Sequence, residues 1–177
     1  MHQKLAITLL FIAVGALAIH QPGAQEKPEY VGVKSCKICH KGEKKGLIYE
    51  TWESSKHADA TDTLVTKGEE SNELCLKCHS TGFGEGGYDP TAEDKEVFSG
   101  VQCEACHGPG SLYKKLSVMK DLDAAIAAGL IIPTQETCLT CHNDSYHEDM
   151  TFDFEQAWAK IEHKLPEEPA EETPEEQ

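Results

Sequence analysis

Apolar residues gather once, in a continuous run from Leu5 to Ile19, and afterwards recur only as short stripes at helical spacing. In "GLIYETWESSKHADATDTLV" (46–65), Leu47, Ile48, Trp52 and Ala58 form such a stripe after Gly46, which predicts a helix. "ESNELCLKCH" (70–79) predicts a shorter one, and "SLYKKLSVMKDLDAAIAAGL" (111–130) a helix capped by Ser111 and ending near Gly129. "FDFEQAWAKIEHKL" (152–165) predicts a last amphipathic helix. Between them "STGFGEGGYDPTAED" (80–94) is too rich in glycine to be anything but loop. Alternation with a period of two is sparse. The pattern predicts a mainly α chain with minimal β structure.

The first apolar run has one early lysine before it and small residues after it, with cleavage expected after Ala18 or Ala24. That is the layout of a secretory leader (1–24), and fifteen apolar residues fall short of a comfortable membrane span. No later stretch is apolar enough to cross a bilayer, so the mature chain is expected to be exported without a membrane span. Its end, "LPEEPAEETPEEQ" (165–177), carries six Glu and three Pro and is expected to be disordered. One domain, 25–164, lies between leader and tail, within the ordinary size for a single domain.

Composition changes this picture in two ways. Sixteen basic residues against thirty-one acidic give a formal net charge of −15, which argues against nucleic acid and anionic lipid as partners. The apolar fraction of 39% includes the leader, and aromatic residues are only 7%. The mature chain is short of material for an ordinary core, so something other than side chains is expected to fill it.

All eight cysteines fall in four copies of one frame: "CKICH" (36–40), "CLKCH" (75–79), "CEACH" (103–107) and "CLTCH" (138–142). Four disulfides would leave unexplained why a histidine follows the second cysteine every time. Eight thiolates and four imidazoles do not divide naturally into closed four-ligand zinc sites. Covalent haem explains both features. Two thiols three residues apart on a helical turn each form a thioether to a porphyrin vinyl group, and the next residue sets its imidazole against the iron. The frame therefore assigns four haem c groups to Cys36 and Cys39, Cys75 and Cys78, Cys103 and Cys106, and Cys138 and Cys141. His40, His79, His107 and His142 are the expected proximal ligands. The intervals between motifs, 34, 23 and 30 residues, each allow a helix and a turn and are too irregular for a solenoid.

Beyond the motifs themselves, "CKICHKGEKKGLIYETWESSKHA" (36–58), "GFGEGGY" (82–88), "GVQCEACHGPG" (100–110) and "FDFEQAWAKIEH" (152–163) resemble the tetrahaem cytochromes c related to cytochrome c-554. The resemblance implies a compact fold organised around four stacked haems in near-parallel pairs, three irons with two axial histidines, and a five-coordinate second haem. It further implies that His57 is the distal ligand of the fourth haem, and His163, on the last helix, that of the third. The distal ligand of the first haem is replaced here by Ser117, which leaves Met119, His147 or no residue for that iron. His147 lies five residues past His142, too near to cross that histidine's own haem, and is expected to face solvent. Seven histidines outside the leader and its border serve eight axial positions.

A six-coordinate haem passes electrons and binds no substrate. The sequence therefore reads as a periplasmic or extracellular electron carrier that docks transiently with redox partner proteins. Two other readings stay open. One is a haem enzyme or ligand-binding protein for nitric oxide, nitrite, hydroxylamine or peroxide at the haem on His79, although no CxxCK motif and no acid/base constellation accompany it. The other is a subunit of a cytochrome filament.

Overall fold

The computed structural model describes residues 26–143, 147 and 151–164; the expected leader and acidic tail lie outside these. Among the described residues nine α-helices follow in order: α1 Val33–His40, α2 Ile48–Glu53, α3 Ala60–Lys67, α4 Glu73–His79, α5 Cys103–His107, α6 Leu116–Met119, α7 Leu122–Ala127, α8 Gln135–Leu139 and α9 Phe154–Ile161. Short 3₁₀ turns lie at Glu43–Lys45 and Lys95–Phe98. The one β feature among the described residues is an isolated antiparallel bridge between Ser80 and Ser99. Helix α1 packs on α2 and α5, α3 on α4, and α6 on α7.

None of these helices exceeds eight residues, a length at which isolated helices are unstable in water. Side chains supply what propensity does not. Asn72 caps α4 by accepting from the Leu74 N–H at 3.1 Å, Asp121 caps α7 from Ala124 at 3.0 Å, and Asp153 caps α9 from Gln156 at 3.0 Å.

Two expected helices are split. The stripe 46–65 breaks at residues 54–59, where Ser55 Oγ donates to the Trp52 carbonyl at 2.7 Å and Ser54 Oγ to the Thr51 carbonyl at 3.1 Å. Such bonds offer the backbone an alternative to the helical ladder. Similarly, 111–130 contains only α6 and α7. Ser111 caps neither; its hydroxyl accepts from the Glu29 N–H at 2.8 Å and pins the N-terminal segment. The final helix stops at Ile161, because Glu162 is extended, so His163 follows the helix rather than riding on it.

The buried interior among the described residues is small and in large part polar. Only Tyr49, Ala60, Leu64, Leu76, Tyr88, Tyr113 and Ala125 are buried apolar side chains among the described residues. Beside them Thr61, Ser80, Thr81, Gln102 and Glu104 are equally buried. Thr61 Oγ1 donates to the His79 carbonyl at 2.6 Å and accepts from the Gly100 N–H at 2.7 Å. Thr81 Oγ1 donates to the Gly100 carbonyl at 2.7 Å and accepts from the Gln102 N–H at 2.8 Å. Gln102 in turn accepts from the Val33 N–H at 2.7 Å. This chain of bonds joins the end of α4, the 99–102 turn and the start of α1.

Candidate haem-binding site

Helices α1, α4 and α5 each carry a CxxCH frame and end on its histidine. Helix α8 stops one residue after Cys138, but the turn continues: the Cys141 and His142 N–H groups both donate to the Cys138 carbonyl, at 3.2 and 2.9 Å. Each pair of thiols thus sits on one turn with its histidine next in line. All eight cysteines are free of disulfides. No group of three or more His, Cys, Asp or Glu side chains converges as a metal cage among the described residues. A porphyrin brings four nitrogens of its own, so haem iron asks the protein for only two ligands.

The histidines meet that demand in pairs. The rings of His57 and His142 lie 5.9 Å apart between centroids, those of His107 and His163 6.1 Å, and those of His79 and His147 6.2 Å. The interplanar angles are 55°, 58° and 55° respectively. An imidazole nitrogen bonds a metal at about 2 Å, so two rings on opposite sides of one ion place their centroids roughly 6 Å apart. These residues fit an iron between each pair.

Second partners fix which nitrogen is free. His79 Nδ1 lies 3.0 Å from the Ala60 carbonyl and His107 Nδ1 3.0 Å from the Ile131 carbonyl. A carbonyl oxygen only accepts, so Nδ1 carries the proton and the Nε2 lone pair is left for metal. His163 Nδ1 has a similar bond, 3.1 Å to the Ile161 carbonyl. Burial pushes His40, His57, His107 and His142 below the usual histidine range, which favours the neutral, ligating form.

His40 differs. No ring faces it among the described residues, and its buried Nδ1 has no hydrogen-bond partner. Ser117 is exposed on α6, and Met119 closes that one-turn helix half-buried. His147 is exposed, as a solvent-facing residue would be, yet it also has a ring partner. It faces His79, the histidine expected to stand without a distal partner.

Contacts between motifs explain how distant histidines meet. The Cys36 thiol lies against Cys103 and that of Cys78 against Cys141. Burial, then the nearby sulfurs, pushes Cys78 and Cys106 up to about 11. Before haem attachment these groups are thiols, not thiolates, at neutral pH.

Sequence reasoning missed Glu104, the residue after the first cysteine of the third motif. It is 1% exposed and accepts from the N–H groups of Val31 (3.0 and 3.1 Å), Gly32 (2.7 Å) and Gly110 (2.7 Å). Acidic residues within CxxCH frames carry no signal of burial, so only the fold reveals it.

Residues 35–108 match the family described as cytochrome c554 and c-prime. The chain is 27% identical over 167 residues to cytochrome c-554 of Nitrosomonas europaea, covering 78% of this chain and 67% of that protein. Its fold is similar to the reduced state of cytochrome c554 from Nitrosomonas europaea, with a TM-score of 0.61 at 22% identity over 78% of this chain and 86% of the other.

Proposed function

We propose, from the chain's homology to cytochrome c-554, that it is an exported tetrahaem cytochrome carrying electrons between redox proteins. The observation that carries this reading is the trio of imidazole pairs, each joining a CxxCH histidine to a second histidine at the separation one iron requires. When bound, haem supplies an iron that gains and loses one electron.

The residues of this chain do the rest. The eight cysteines anchor the four groups as thioethers, and His40, His79, His107 and His142 take the proximal positions. His57 serves the group held by His142, and His163 the group held by His107. The carbonyls of Ala60 and Ile131 orient His79 and His107 and raise their basicity, which tunes potential. The Cys36 thiol beside Cys103 and the Cys78 thiol beside Cys141 support a relay with short steps between the first and third groups and between the second and fourth. The apolar run at 5–19 supports export, and no helix among the described residues is long and apolar enough to cross a membrane. A formal net charge of −15 favours transient docking on a partner with a basic surface.

Intact mass of the purified exported protein tests this directly. Four haem additions and loss of the leader are expected, together with stepwise reduction in an optical redox titration. Three or fewer haems in fully matured protein would reject the tetrahaem reading.

A further inference from the structure

Three of the four CxxCH histidines face a second imidazole; His40 does not. We infer that His147 is the distal ligand of the haem on His79, and that the open axial position belongs to the haem on His40. This rests on the tetrahaem reading and deepens it by locating the site where a small exogenous ligand binds iron.

The argument for His147 is geometric. Its ring stands 6.2 Å from that of His79 with a 55° tilt, matching the His57–His142 and His107–His163 pairs within a few tenths of an ångström. His79 has its Nδ1 occupied by the Ala60 carbonyl, so Nε2 is the nitrogen left for a metal. Cys141, six positions before His147, lies against Cys78, which sets the fourth motif beside the second. His142 is itself engaged on its other side, facing His57 and stacked with Phe152 at 4.6 Å. His147 therefore crosses to the neighbouring motif rather than back to its own.

The argument for His40 is arithmetic joined to geometry. Nine histidines, less His2 and His20, leave seven. Three pairs consume six of them, and the seventh is His40. It has no facing ring among the described residues, and its buried Nδ1 lacks the carbonyl partner that His79 and His107 possess. With no such bond His40 is a weaker donor, and its iron is the one most receptive to a sixth ligand such as cyanide or nitric oxide.

The test uses the full four-haem protein and counts high-spin haem by magnetic resonance and optical spectra. The parent is expected to show one high-spin haem in four and to take up one equivalent of cyanide. His147→Ala should show two, as should His57→Ala and His163→Ala separately, each with one additional cyanide site. Three paired haems are then accounted for, and the constant open one is that on His40. Retention of four haems by mass checks each variant's maturation, and His147→Gln repeats the measurement where His147→Ala does not mature. A count that stays at one in both His147 variants, while His57→Ala raises it to two, overturns the ligation of His79 by His147 and leaves the tetrahaem reading standing. A parent without any high-spin haem, or with a long-wavelength sulfur-to-iron band abolished by Met119→Ala, overturns the open position at His40.

Discussion

Glu104, inside the third attachment frame, is a latch between separate stretches of backbone. Its carboxylate collects N–H groups from Val31, Gly32 and Gly110, so it ties the entry to α1 and the turn after α5 onto α5 itself. Replacing it with Ala strands three amides, each costing about 1–3 kcal/mol when buried without a partner. Glu104→Ala is expected to lose roughly 3 kcal/mol or more in denaturant unfolding, and Glu104→Gln, which keeps one acceptor oxygen, visibly less. Equal stability in both variants would show that the latch is dispensable. The residue scale also shows the limit of sequence reasoning. Motif spacing identifies the eight cysteines and four proximal histidines, because that chemistry is local to one helical turn. Distal partners are chosen by contacts across more than twenty residues: the nearness of His147 to His142 says nothing of its place beside His79.

At the scale of elements, the decisive features are breaks rather than helices. The gap between α2 and α3 carries His57, and it is held open by a backbone crossing. There the His57 carbonyl accepts from the Val101 N–H at 2.8 Å, while Gly100 adopts φ +78°. A Cβ at Gly100 would strike the Ala58 carbonyl oxygen, one residue from His57. A left-handed conformation costs an ordinary residue about 1–3 kcal/mol before any clash is counted. Gly100→Ala is therefore expected to lower the melting temperature and to loosen His57, so that the haem on His142 becomes partly high-spin. A thermal melt and a spin-state measurement on the same sample check both effects. Stability lost with all spectra unchanged would mean that the crossing supports the fold without placing His57. The hydrophobic stripe on either side of the break predicts helix correctly, but it contains no sign that Ser54 and Ser55 turn their hydroxyls back onto the chain.

At the scale of the molecule, the buried apolar side chains among the described residues are too few to hold helices of eight residues or fewer. Ile38, between the first two cysteines, is 83% exposed, and Leu116, Leu122 and Ile132 are all more than half exposed. A variant with all eight cysteines replaced by alanine is expected to lose most helical circular dichroism and to be degraded far faster by protease than the haem-loaded protein. A cysteine-free chain that keeps native helicity would show that side chains alone make the core. The sequence by itself determined the helical class, the four attachment frames and the shortage of apolar core, because each rests on contacts within a few residues of chain or on composition. Only the tertiary structure decided that His147 faces His79, that Glu104 is buried, and that His40 has no facing ring among the described residues. Those outcomes depend on which helical turns lie side by side, as Cys36 with Cys103 and Cys78 with Cys141. No local pattern encodes that adjacency, since it is settled by packing between segments far apart in the chain.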